Sequence, residues 1–301
     1  MDFRLTEDQR ALKRGVRELL DRRFGREALR AAVDGGGVLD RELWRELGDA
    51  GFFALRLPEE EGGVGLGLPE AVLLFEEAGR VLLPGPLIAT HLAAGAVPGA
   101  AEGVVVVTAV DESGLVEWLE AADVVEGDAS GAVPVRSVDP LTPLHRAPGS
   151  GRCAHPFRPA ERLPTTGTAT VSLLTAAEQL GSAARTTELA VSYARTREQF
   201  GQPIGGFQAV KHLCAQMLVR TEVARVAVYA AAVTGDPVEI AGARLLADEA
   251  AVGCARDCLQ VYGGMGFTWE ADVHLHLKRA WVRAERGLSG AAAEELVASS
   301  L

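Results

Sequence analysis

Apolar positions recur at helical spacing at both ends of this chain and lose that spacing in the middle. Thr6 with Gln9 has the pattern of a capping box ahead of Leu12, Val16, Leu19 and Leu20, which predicts a first helix. A short helix fits 40–50. A Gly-rich loop follows, Leu57-Pro58-Glu59-Glu60-Glu61-Gly62-Gly63-Val64-Gly65-Leu66-Gly67, and a helix starts near Pro69 with proline in its first turn. From 101 the character changes. Val104-Val105-Val106-Val107 is β-branched, and Gly, Pro and Asp turn signals recur after it. So few strands bury little surface, so 101–165 reads as a reduced β module. Three long helices are predicted after it. The first covers 168–197, with Leu173, Leu174, Ala177, Leu180 and Ala184 on one face, and spans about 45 Å. The others cover 208–234 and 238–262, the last with Leu245, Val252 and Leu259 seven apart. Long helices on short connections imply an antiparallel bundle. The expected fold is mostly α: an N-terminal helical domain over 1–100, a small β middle module over 101–165, and a C-terminal antiparallel four-helix bundle over 166–301.

Composition narrows the function. With 48% apolar and 24% charged residues among 301, a largely disordered chain is excluded. Thirty basic residues against 41 acidic ones leave a net charge of −11, which makes the chain a poor candidate for general nucleic-acid binding. An anionic ligand must therefore be held by a local patch against the global field. Cys153, Cys214, Cys254 and Cys258 are too scattered for a disulfide framework. Cys254 and Cys258 share a helix face without histidines at ligand spacing, so they read as small buried apolar groups rather than a metal site. The start Met1-Asp2-Phe3-Arg4 lacks a signal-peptide pattern. The most apolar stretch, 81–101, is broken by Pro84, Pro86 and Pro98 and does not read as a membrane span. A cytoplasmic location is expected.

Two segments carry candidate chemistry. Arg197-Glu198-Gln199-Phe200-Gly201-Gln202-Pro203-Ile204, followed by Phe207-Gln208, joins the first two bundle helices. It reads as a plain connection in which Gly201 stops one helix and Pro203 prevents its continuation, or as an anion site built on Arg197. Gln260-Val261-Tyr262-Gly263-Gly264-Met265-Gly266-Phe267 ends the third helix. Its glycines serve a C-cap, or let backbone N–H groups approach a phosphate closely. The spacing is not GxGxxG and follows no strand, so a dinucleotide-binding βαβ unit is not supported.

Together these motifs resemble the flavin-dependent acyl-CoA dehydrogenases. The resemblance covers nearly the whole chain. It rests also on Leu5-Thr6-Glu7-Asp8-Gln9, on Pro58-Glu59-Glu60-Glu61-Gly62-Gly63 with Gly65, on Glu76-Glu77-Ala78-Gly79-Arg80, and on Phe267-Thr268-x-Glu270. It implies FAD shared between two subunits, the β domain of one cradling the ring and the bundle of the other holding the ADP end. Carried over by position, Arg197, Gln199 and Phe200 would meet the pyrophosphate and adjacent flavin groups, with Phe207 and Gln208 lining the same region. Gln260, Gly263 and Gly264 would contact the ADP portion.

The departures from the family matter as much. Its chemistry needs a glutamate base, which many members carry just after the C-terminal arginine-rich helix. Here that position falls near Leu288, which cannot accept a proton. Other members carry the base early in the first bundle helix, near Ser172 here. Glu178 lies about two turns further on and reads as a solvated or structural helix carboxylate. Glu285 lies between Arg283 and Arg286, where an ion pair is the simpler reading. The segments that hold the flavin ring in the family have no counterpart in 101–165. No residue is therefore assigned a catalytic role. The resemblance then implies a non-catalytic subunit of a heteromeric acyl-CoA dehydrogenase. Its expected partners are a longer subunit carrying the glutamate, an acyl-CoA substrate such as a bulky steroid side-chain thioester, and an electron-transfer acceptor protein. A standalone enzyme with a relocated base and a flavin-free scaffold of the same fold are the alternatives. His274 and His276 read as surface or packing residues. Lys278, Arg279, Arg283 and Arg286 read as a solvated helix face, or as contacts to phosphate or to an acidic partner.

Overall fold

The computed structural model describes residues 4–148 and 166–300. The predicted capping box is formed: Gln9 N–H donates to Thr6 Oγ1 at 3.1 Å and Thr6 N–H to Gln9 Oε1 at 3.0 Å. It starts α1 (Glu7–Arg23), which is followed by α2 (Arg26–Asp34), α3 (Arg41–Asp49, capped by Asp40), α4 (Leu68–Arg80, with proline in its first turn) and α5 (Leu87–Ala93). Five three-residue strands follow: β1 (Val107–Ala109), β2 (Leu115–Glu117), β3 (Val124–Glu126), β4 (Val133–Val135) and β5 (Leu144–Arg146). β1 pairs with β3 in parallel, while β5 lies antiparallel between β2 and β4. The valine run does not form one strand. Val104 and Val105 donate back to the Gly99 carbonyl at 2.9 Å, and pairing begins only at Val107. Residues 149–165, with Cys153 and the end of the expected β module, lie outside the described residues.

The C-terminal region begins with α6 (Thr166–Thr196), a two-residue hairpin of β6 (Glu198–Gln199) and β7 (Gln202–Pro203), α7 (Gln208–Thr234) and α8 (Pro237–Tyr262). α9 (Val273–Ala284) and α10 (Gly290–Ser299) complete it. α6, α7 and α8 pack pairwise, α9 lies on α8 and α6, and α10 covers α8. Short connections force α6, α7 and α8 to alternate in direction, so the end of α6, the start of α7 and the end of α8 meet at one end of the bundle.

α4 crosses α6 with almost no spacing. A Cβ at Gly181 would overlap the Glu76 backbone carbonyl, and one at Gly79 would overlap that of Glu178. The crossing sets two buried carboxylates. Glu76 receives Lys13 Nζ at 2.5 Å, Tyr229 Oη at 2.6 Å and the Arg225 guanidinium. Glu77 is held bidentately by Arg17 at 2.7 and 2.8 Å. Burial raises the Glu76 pKa, but Lys13 and Arg225 outweigh it and hold the carboxyl below its usual range. Gly181→Ala, which must push two backbones apart, is expected to cost about 3 kcal/mol of unfolding free energy. Urea denaturation checks this, and an unchanged midpoint would refute the close crossing.

The basic run is not a solvated face. Arg279 is 3% exposed and pairs with Asp139, Arg283 pairs with Glu178, and Arg286 reaches Asp111 at 3.1 Å and Glu117. Only Lys278 stays near the surface, with Nζ 4.9 Å from the Trp269 ring centroid. Arg283 and Arg286 thus pair with carboxylates far along the chain. His274 and His276 are buried packing residues.

Candidate flavin half-site and substrate cleft

α6 stops at Thr196, five residues before Gly201, so Gly201 is not the stop signal its sequence position suggested. Phe200 and Gly201 form the two-residue turn of the hairpin instead. Both have positive φ, 52° and 78°, as a turn matching the strand twist requires. Glycine tolerates this, but phenylalanine in that region is strained by about 1 kcal/mol or more. The turn places Phe200 outward at 92% exposure, edge-on to Phe207 at 6.1 Å. Arg197 is anchored by its backbone, with N–H donating to Tyr193 and carbonyl accepting from Ile204, both at 2.8 Å. Its side chain is exposed and makes no ion pair among the described residues. Gln199 and Gln208 are also exposed, the former donating to the Glu198 carbonyl at 2.8 Å.

The second motif closes the same end. α8 ends at Tyr262, and Gly263 takes φ 60°. Nothing lies within 4 Å of where a Cβ would sit at Gly263 or Gly264, so the turn presents open backbone. Gln260 is exposed one turn before it. Tyr193 and Tyr262 stack with centroids 4.1 Å apart and planes at 14°, which locks the end of α6 to the end of α8. The eight residues singled out from sequence therefore gather at this one end of the bundle, with Phe207 and Gly263 half-buried and the other six exposed. Sequence reasoning missed the exposed Met265, Phe267 and Trp269 beside it. The signal for Met265 and Phe267 was their position in the glycine turn, while Trp269 follows it and stacks on His274.

A separate cavity of about 370 Å³ lies where α5, β1, the start of α6 and the end of α9 converge. Ile88, Leu92, Val110 and Val171 line it, together with Arg286 and Gly287. The Arg286 ion pairs with Asp111 and Glu117 cross it. Leu288 turns away and packs against Ala241, Ala293 and Leu296. Ser172 is buried, its hydroxyl without a partner among the described residues. Glu178 is 1% exposed and bound to Arg283, so it is a structural carboxylate rather than a solvated one.

Residues 6–103 match the acyl-CoA dehydrogenase N-terminal domain and residues 169–292 the C-terminal domain. Acyl-CoA dehydrogenase IpdE2 of Mycobacterium tuberculosis is 37% identical, over 91% of each chain. The chain belongs to the acyl-CoA dehydrogenase family. Acyl-CoA dehydrogenase FadE34 of the same organism is 33% identical over 92% of this chain and 45% of its own. The ChsE4-ChsE5 complex from Mycobacterium tuberculosis contains a chain 25% identical to this one, with TM-score 0.79 over 100% of this chain and 98% of that one. The Tcur3481-Tcur3483 steroid acyl-CoA dehydrogenase, 23% identical with TM-score 0.80 over 97% of each chain, shares the fold.

Acyl-CoA dehydrogenases are oxidoreductases acting on acyl-CoA and are in general FAD-dependent. The exposed surface fits the nucleotide end of that cofactor. Arg197 can fork onto a pyrophosphate, the amides of Gln199, Gln208 and Gln260 supply donors, and the open turn at Gly263–Gly264 lets a ligand reach the backbone. Among the described residues, no helix is long and apolar enough to cross a membrane.

Proposed function

We propose that this chain is the non-catalytic subunit of a heteromeric, FAD-dependent acyl-CoA dehydrogenase. It grips the ADP end of FAD through Arg197, Gln199, Phe200, Phe207, Gln208, Gln260, Gly263 and Gly264. A longer family member would supply the ring pocket and the glutamate that takes the α-proton, and the FAD held between the two chains would supply the hydride acceptor and the link to an electron-acceptor protein. The observation that carries this reading is the lack of a usable carboxylate at either family position for the base. Leu288 is packed under α10, Ser172 is a buried hydroxyl, and Glu178 is spent on Arg283. General-base catalysis requires a group within reach of the proton. The likeness to one chain of the two-chain ChsE4-ChsE5 complex supports a mixed assembly, and the likeness to a protein described as a steroid acyl-CoA dehydrogenase supports a bulky thioester substrate.

The test is to purify the chain alone and with a longer family member. Flavin absorbance and its bleaching by acyl-CoA are expected only in the complex. Bleaching by the lone chain would mean a relocated base. Arg197→Ala is expected to weaken FAD retention in the complex by about tenfold to a hundredfold, the worth of one charge-assisted phosphate contact. Full retention would leave this chain a flavin-free scaffold.

A further inference from the structure

A cavity of about 540 Å³ opens between α1, the start of α2, the end of α4, α6 and α9. Its polar lining includes Arg26, Arg80, Arg185 and His276, with Asp21 and Asp272 as lining carboxylates. Two carboxylates beside it are each shared by two arginines. Glu188 takes both Nη atoms of Arg80 at 2.5 Å, and its Oε2 also faces Arg185 Nη1 at 3.5 Å. Asp272 takes Arg26 at 2.6 Å and Arg30 at 3.7 Å. Each trio carries one positive charge more than it neutralises, and Asp21 cancels one of the two. A chain of net charge −11 thus keeps a local cationic cavity.

The deepest polar group points to what fills it. His276 is 3% exposed and lines the cavity. Its Nδ1 lies 2.8 Å from Ser182 Oγ, while Nε2 has no partner among the described residues. Burial, then Arg185, Arg279 and Arg80, push its pKa down to about 3, so the ring is neutral at physiological pH. In the tautomer in which Ser182 Oγ–H donates to Nδ1, Nε2 carries the ring proton and is free to donate. The first turn of α2 adds backbone N–H groups, since its N-cap, Gly25, has no side chain to satisfy them.

We propose that this cavity binds a tetrahedral oxyanion of the phosphate type, held by Arg80, Arg185 and the Nε2–H of His276. Tyr262, next to Gly263, is one wall of the cavity, so the site adjoins the flavin surface, but none of the eight residues assigned to that surface lines it. The anion is a free one or the phosphate of a nucleotide; both present the same oxygens to the arginines.

The test is titration calorimetry of the full chain with inorganic phosphate against chloride at matched ionic strength. ADP and adenosine 3′,5′-bisphosphate are titrated in parallel. Saturable one-to-one phosphate binding is expected, weakened at least about tenfold by Arg185→Ala and unchanged by Arg136→Ala, which removes an equal charge from an exposed loop. A nucleotide that binds more tightly, and loses binding in the same variant, assigns the site to a nucleotide phosphate; equal affinities assign it to the free anion. In the wild-type chain the His276 ring resonances are expected to shift as phosphate saturates. Absence of saturable binding, equal weakening by both variants, or an unmoved His276 signal would overturn the proposal.

Discussion

Arg279→Met is expected to cost about 3–5 kcal/mol of stability, a large part of the roughly 5–15 kcal/mol that holds a domain together. Arg279 joins three parts of the chain. From α9 its Nε meets Asp139, Nη2 donates to the Leu141 carbonyl at 3.3 Å, and Nη1 donates to the Leu83 carbonyl at 3.2 Å in the α4–α5 connection. Asp139 is 1% exposed and also accepts Thr142 Oγ1 at 2.6 Å and Leu141 N–H at 3.0 Å. Removing the arginine leaves this carboxylate buried without a countercharge, which is where most of the cost arises. The variant is also expected to free the middle segment first, since Arg279 ties it to the helices. Guanidinium denaturation and limited proteolysis between 107 and 146 measure the two effects. Asp139→Asn in the Arg279→Met background should recover part of the loss, because an amide tolerates burial better than an unpaired carboxylate. If Arg279→Met is no less stable than wild type, or Asp139→Asn recovers nothing, the pair is not the joint described here.

This pair also marks where the sequence stops being legible. Local signals were read well. The Thr6–Gln9 box and Pro69 in the first turn of α4 each act within four residues, so they survive in a one-dimensional pattern. The partners of Arg279, Arg283 and Arg286 lie in Asp139, Glu178, Asp111 and Glu117, more than a hundred residues away. Nothing in Lys278–Arg286 alone separates a buried cation from a solvated one. The candidate site divides in the same way. Arg197 to Gln208 and Gln260 to Gly264 stand out as glycine-punctuated segments after long helices. That they form one surface depends on the Tyr193–Tyr262 stack, a contact between residues spaced by two helices. The outward pose of Phe200 depends on a hairpin turn that a stop-signal reading of Gly201 hides.

Stability is expected to fall steeply between pH 6.5 and 4.5. His91 and His276 are the cause. Burial, reinforced by Arg56 and only partly offset by the Phe52 carbonyl, lowers the His91 pKa to about 4, and that of His276 falls to about 3. Both ordinarily titrate near 6.5, so below that pH the unfolded chain binds protons that the folded chain refuses. Their contribution is intact above pH 6.5, is lost as pH falls, and stops changing only below the folded values. Each histidine costs about 1.4 kcal/mol per pH unit in that window, so the two together remove about 5 kcal/mol by pH 4.5. The buried Glu76 acts the other way in range: its carboxyl is held below 4.5, so the stability it adds is lost only under that pH. Urea unfolding at steps from pH 7.5 to 4.5 separates the two. The experiment belongs in phosphate-free buffers, since an oxyanion beside His276 would favour its protonation and flatten the curve. His91→Leu with His276→Gln should remove most of the slope above pH 4.5 while leaving the acid limb of Glu76 in place. A wild-type profile level from 6.5 to 4.5 would mean that both imidazoles accept protons without unfolding the chain, and that neither is as deeply shielded as its surroundings imply.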